Sequence, residues 1–128
     1  MALSPDVCWT PTPSVPPGAP APYPNLADLG GAKKVTSKVL VRDKPCLVEG
    51  SYIPRSSGDE AGCNTPIPNG KMGVKSRTQM SKVEFSSHSG KVKMEGKGVI
   101  FHTASTKHSE TNTMGKHGTP SQSVVFAD

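Results

Sequence analysis

Lys38-Val39-Leu40-Val41-Arg42-Asp43-Lys44-Pro45-Cys46-Leu47-Val48 and Lys91-Val92-Lys93-Met94-Glu95-Gly96-Lys97-Gly98-Val99-Ile100-Phe101 align residue for residue. Each carries Lys-Val, an apolar residue three positions after the lysine, a polar dipeptide, and a second lysine. Apolar residues on both sides of Arg42-Asp43 and of Glu95-Gly96 are the pattern of two strands joined by a two-residue turn, so each copy predicts a β-hairpin. A Ser/Thr/Gly-rich stretch with ligand-type side chains follows each hairpin: Ser56 to Cys63 after the first and His102 to His108 after the second. Lys82-Val83-Glu84-Phe85 alternates before the second hairpin, and Ser123-Val124-Val125-Phe126 closes the chain. An internal repeat of this kind predicts an all-β chain of short strands and long ordered loops.

Composition agrees. The 128 residues include 13 Gly and 13 Pro, while Leu, Ile, Val and Phe supply only 23 positions, too few for a large aliphatic core. No window repeats apolar residues at i, i+3, i+4 and i+7 over several turns, which excludes a helix bundle. Fifteen basic and ten acidic residues leave a net charge of only +5, short of what a disordered chain of low hydrophobicity carries. The chain is therefore either half-ordered or held by something other than core packing. No stretch nears the roughly 20 apolar residues of a membrane span, and the N-terminus lacks a basic region followed by an apolar run, so neither a transmembrane segment nor a signal peptide is expected.

Residues 1–128 read as one domain, with residues 1–30 as a proline-rich strap and 113–128 as a less defined tail. Seven prolines lie between Pro11 and Pro24. They forbid helix and remove donors that a central strand needs, which predicts extended polyproline laid against the body. Cys8, Cys46 and Cys63 are odd in number and widely spaced, a poor basis for disulfides. Metal ligation is the better reading of part of the Cys/His set, although no C-x-x-C or H-x-x-x-H pair occurs. Cys46, beside Leu47 and Val48, also fits a buried small apolar group.

The order of motifs resembles the PAAR-like proteins of the DUF4150 type, relatives of the spike-tip proteins of type VI secretion systems. The resemblance rests on Asp6-Val7-Cys8-Trp9-Thr10-Pro11, Pro20-Ala21-Pro22-Tyr23-Pro24-Asn25, Gly58-Asp59-Glu60-Ala61-Gly62, Lys91-Val92-Lys93-Met94-Glu95-Gly96-Lys97 and the pair His102 and His108. It runs from Pro5 to about Asn112. The signature proline-alanine-alanine-arginine tetrapeptide is degenerate, its place taken by Lys44-Pro45-Cys46-Leu47 and Lys97-Gly98-Val99-Ile100.

The resemblance implies a small cone of β-hairpins in pseudo-threefold arrangement, the two related hairpins forming two faces and Met80 to Phe85 with the chain ends the third. It further implies a base that docks, one copy per trimer, on a VgrG-type spike, and an apex stapled by one structural zinc ion. Cys8 matches the family's N-terminal cysteine, and His102 and His108 match its histidines. Cys63 follows the Gly58 to Gly62 motif and is taken as the fourth ligand, with His88 its substitute and His117 a weaker candidate. One tetrahedral ion fixes four loops where apolar burial is scarce.

This reading is of a non-enzymatic cap: loaded in the bacterial cytoplasm, then secreted, touching a target membrane transiently and carrying at most non-covalent cargo, since no fused effector is expected before Asp128. Catalysis has only residue types in its favour. Cys8 with a histidine, or Asp59 with Glu60, lacks a phosphate-cradling loop or nucleophile elbow, and Asp59 and Glu60 suit a Gly-flanked turn. The alternative is a small basic zinc-binding module that contacts nucleic acid or an acidic protein through Lys71 to Lys97. No aromatic residues interleave with those lysines as a base-stacking platform requires, and nucleic acid is not the partner the main reading expects.

Overall fold

The computed structural model describes residues 2–9, 20–58, 74–76 and 80–118, with the backbone alone for 2–7 and 9. The described chain is nearly all β. Ten strands form in order: β1 (Ala2–Trp9), β2 (Pro20–Ala27), β3 (Leu40–Val41), β4 (Lys44–Pro45), β5 (Tyr52–Ile53), β6 (Val83–Phe85), β7 (Lys93–Met94), β8 (Lys97–Gly98), β9 (Ser105–His108) and β10 (Thr113–His117), with one 3-10 turn at Leu29–Gly31. Six of them make an antiparallel sheet in the order β2-β1-β10-β9-β6-β5, and β3-β4 and β7-β8 are separate two-stranded hairpins. Val83–Phe85 and strands from both ends of the described chain, the segments expected as a third face, meet in the large sheet together with β5 and β9. Ser123 to Phe126 and Cys63 lie outside the described residues.

The two hairpins are where the repeat places them, though their paired strands are only two residues long. Both turns are left-handed at both central positions, Arg42 at φ 51° and Asp43 at 62°, Glu95 at 50° and Gly96 at 78°. This is the mirror-image turn whose twist matches paired strands. The equivalence extends beyond the aligned residues. Thr36 N–H donates to the Cys46 carbonyl at 3.0 Å, and Ser89 N–H to the Val99 carbonyl at 2.8 Å. Ser51 N–H donates to Val48, and Ala104 N–H to Phe101, each closing a turn that holds a left-handed residue, Gly50 at φ 86° and Thr103 at 68°. Lys33 pairs with Tyr52 as Ser86 pairs with Ser105. The repeat unit is therefore a hairpin with both flanks, delivering its last strand, β5 or β9, to the sheet. At Gly98 a Cβ would overlap the Ser89 carbonyl oxygen and the His88 ring, so the second unit requires glycine there.

The units cross antiparallel through a Val48 to Val99 bridge, with Glu49 N–H on Gly98 and Ile100 N–H on Leu47. A second tie is electrostatic. Glu95 Oε1 accepts three consecutive backbone amides, Ser37 at 2.9 Å, Lys38 at 2.7 Å and Val39 at 3.2 Å. Successive amides turned toward one point form an anion nest. These bonds, chiefly from Lys38 and Val39 and helped by the Lys38 charge, hold the Glu95 carboxyl below the usual carboxylate range.

The proline-rich segment departs from expectation. From Pro20 onward it is the edge strand β2, paired over eight residues with β1, instead of unpaired polyproline. The prolines alternate, which is why a strand tolerates them. Pro24 opposes Pro5, so that pair falls at a position needing no donors, and the ladder runs through Asn25 with Ser4, Tyr23 with Asp6 and Ala21 with Cys8. The even-numbered residues turn their backbone polar groups away from β1. Leu26 demonstrates this by exchanging two 2.8 Å bonds with Ser57 on the outer side. Beyond Leu26 that outer edge presents Pro24, Pro22 and Pro20, none of which has an N–H, so a further strand finds no donors at these positions. Gly58 lies against this edge at φ 109°, where a Cβ would stand 2.7 Å from the Pro24 carbonyl oxygen.

Among the described residues the buried apolar side chains are few: Ala27, Ile53 and Val83 form a cluster flanked by Leu29, Ala32 and Phe85, and Cys8, Val48, Val99, Ile100 and Ala104 are buried outside it. Asn25, Thr36, Ser51, Ser56, Ser89, Thr106, His108, Ser109 and His117 are buried as well. Polar side chains thus occupy much of the interior, and their hydrogen bonds must substitute for apolar area.

The Glu95 nest gives a pH dependence. Because its folded pKa is lowered, the stabilisation is present above the unfolded value, about 4.3, and is lost as pH falls through the folded value. The Glu95→Gln variant should melt below the parent at pH 7, and the gap should narrow as pH falls below the unfolded value of about 4.3. Melting curves across that range check it; a gap independent of pH would exclude the charge as its source.

Candidate functional site

The most enclosed chemistry of the described chain surrounds His108 at the end of β9, where opposed residues place Ile53, Val83, His108 and Thr113 on one row of the buried sheet face. Its ring is fully buried. Nδ1 lies 3.0 Å from Asn25 Oδ1, which can only accept, so Nδ1 carries the proton. Nε2 is hydrogen-bonded to the Thr106 hydroxyl at 3.0 Å. Asn25 Nδ2 donates onward to Ser109 Oγ at 3.4 Å. β2 is brought to β9 through this ring. Asn25, Thr106 and Ser109 carry no periodicity that singles them out; Asn25 alone stands in a quoted motif, as the residue closing Pro20 to Asn25.

The other histidines lie elsewhere. His102 is exposed in the turn before β9, where Nε2 donates to the Gly118 carbonyl at 2.9 Å. His117, expected in a loose tail, is buried in the sheet strand β10, its Nδ1 3.1 Å from the Phe101 carbonyl and its ring edge-on to Phe85 and His102 with centroids 6.1 and 6.4 Å away. His88 is exposed, with Nε2 3.6 Å from Glu49 Oε1. Cys8 is fully buried opposite Ala21, four residues along β2 from Asn25, or about 13 Å at strand rise. Cys46 is half-buried just past β4; burial pushes its thiol pKa up, against hydrogen bonds from Val41 and Thr36 that lower it.

A tetrahedral zinc ion needs its donors within about 2.0–2.3 Å of one point. Among the described residues no three of His, Cys, Asp or Glu are so grouped. Cys8, His102 and His108 are dispersed, and an ion at His108 would have to displace the Thr106 hydroxyl or the Asn25 amide. The described residues do not assemble the expected centre. Thr106, His108 and Asn25 have the order of a nucleophile, base and orienting group, but full burial denies a substrate access. Among the described residues no helix is long and apolar enough to cross a membrane.

With this geometry in view, comparison with known proteins gives the family. The model of the toxin PAAR-like domain matches residues 1–115, and the chain belongs to that family. It is also 36% identical over 118 residues to the DNase toxin Tse7 of Pseudomonas aeruginosa, an alignment covering 90% of this chain and 29% of the relative. The chain therefore spans under a third of that toxin's length. No solved structure matches it significantly.

The network makes His108 a structural residue with or without metal. His108→Ala should cost about 3 kcal/mol, from the lost packing and from leaving Asn25 and Thr106 unsatisfied, whereas His102→Ala should cost less than about 0.5 kcal/mol. Denaturant melts with added zinc and with chelator should give the same His108→Ala loss. A loss that appears only with zinc would make His108 a ligand.

Proposed function

We propose that this chain is the spike-tip portion of a type VI secretion effector. In this reading it caps a trimeric VgrG-type spike as a single copy and delivers toxin activity with it. The carrying observation is the family match over residues 1–115 together with the identity to part of a longer DNase toxin. A purely structural cap is the narrower version of this idea; the relative's toxin activity argues for the broader one. The alignment covers only 29% of that toxin, so in this reading nuclease chemistry is not assigned to the described residues.

The architecture is compatible with capping. Two hairpin units built on one pattern offer repeated surfaces to a threefold partner, and the donor-poor proline edge of β2 steers docking to other strands. Structural zinc held by Cys8, His102 and His108 with Cys63 is not needed for this reading and is no part of it.

Mixing the purified chain with a cognate spike trimer and weighing the complex by native mass spectrometry tests the reading. One chain per trimer, retained in high salt, is the expected result. Three chains per trimer, or no binding to the spike while DNA binds with steep salt dependence, would overturn it in favour of a basic nucleic-acid module.

A further inference from the structure

The large sheet buries one face and leaves the other open, and the open face carries lysine. Directly opposed residues on antiparallel strands share a face. Lys33, Tyr52, Glu84, Lys107 and Met114 therefore form one row, running from the bridge at Lys33 across β5, β6, β9 and β10. At about 4.8 Å between strands, Lys33 and Lys107 stand about 14 Å apart. Lys82 joins the same face: its ammonium is 2.7 Å from Glu84 Oε1 and 5.9 Å from the Tyr52 ring centroid. The Lys34 ammonium is 5.8 Å from the same centroid. Lys116, two residues beyond Met114 and opposite Ser105, extends the surface along β10. Glu84 is the one acid of the row, and Lys82 already pairs with it. Lys33, Lys34 and Lys116 are exposed, and Met114 is 65% exposed.

We propose that this face is a docking surface for an acidic segment of another protein, with Lys33, Lys34, Lys107 and Lys116 as its cationic contacts around Tyr52 and Met114. Charge complementarity sets the sign of the partner. The details set its class. The Tyr52 ring is engaged by the ammonium groups of Lys34 and Lys82, so it is not an open platform for base stacking. The cations are all lysines, point charges without the guanidinium fork that grips phosphate in two places. The exposed apolar side chains described on this face, Met114 and, through the Lys116, Leu3 and Leu26 register, Leu26, are too little apolar area to insert into a lipid surface. Tyr and Met beside a ring of lysines suit a polypeptide, whose carboxylates meet the ammonium groups while its apolar atoms pack on the centre. The proposal does not depend on the spike reading.

The probe is a fluorescein-labelled decaglutamate peptide titrated with the whole chain at low salt and followed by anisotropy. Lys33→Gln with Lys107→Gln, and separately Lys34→Gln with Lys116→Gln, should each weaken binding roughly fivefold. Lys93→Gln with Lys97→Gln, which removes the same charge from the second hairpin, should weaken it less than about twofold. Equal losses for all three pairs would reduce the effect to net charge and overturn the site. Tighter face-dependent binding of a DNA oligonucleotide or of phosphatidylglycerol vesicles would overturn the partner class. Unchanged circular dichroism in either face pair keeps the comparison valid, since the two pairs share no residue.

Discussion

The His108 ring, bonded at Nδ1 to Asn25 and at Nε2 to Thr106, is the contact on which the architecture most depends. Among the described strands β2 pairs only with β1, which meets β10 at Ala2 and Leu3; its C-terminal end is held further by the Leu26–Ser57 bridge and by Ala27 against Ile53 and Val83. The buried ring reaches past these strands and ties Asn25 on β2 directly to β9. Buried apolar side chains are few among the described residues, the Ala27, Ile53 and Val83 cluster with Cys8, Val48, Val99, Ile100 and Ala104, and this polar tie adds to a packing more modest than a larger domain would have. Such a network tolerates little: once one member is removed, the others are buried without compensation.

The same economy recurs at the periphery. Glu95 satisfies three amides that would otherwise face water in the loop before β3. Thr36 accepts from Cys46 N–H and donates to the Val39 carbonyl in the first unit, while Ser89 accepts from Lys91 and Val92 in the second. A short hydroxyl at the same place in both units organises each hairpin, in a chain whose strands are too short to do so by ladder bonds alone. The edge strand is managed by composition: alternate prolines keep every donor that β1 needs and present none on the outside.

Much of this was legible. The Lys-Val repeat located both hairpins and both turns, because two-residue left-handed turns leave a direct mark in polar dipeptides such as Arg42-Asp43. Val83 to Phe85 alternated and is a strand. The proline-rich segment misled, because proline content argues against a strand until the alternation of Pro20, Pro22 and Pro24 is set against a partner whose own Pro5 falls in register. The Asn25, Thr106 and Ser109 network left no pattern, since buried hydrogen bonds between residues distant in sequence have no period. For the same reason the convergence of the ligand set inferred from family resemblance, Cys8, Cys63, His102 and His108, leaves no mark in the sequence. The family itself was legible from motif order, and the match over residues 1–115 bears it out.

If polar contacts carry the interior in place of apolar area, the heat capacity of unfolding must be small, since exposing apolar surface raises it and exposing polar surface lowers it. Differential scanning calorimetry measures it directly. An ordinary chain of this length would give about 1.5–1.9 kcal/mol/K. The account expects a value clearly below that range; a value within or above it would mean that a substantial apolar core holds the fold, and would contradict the account.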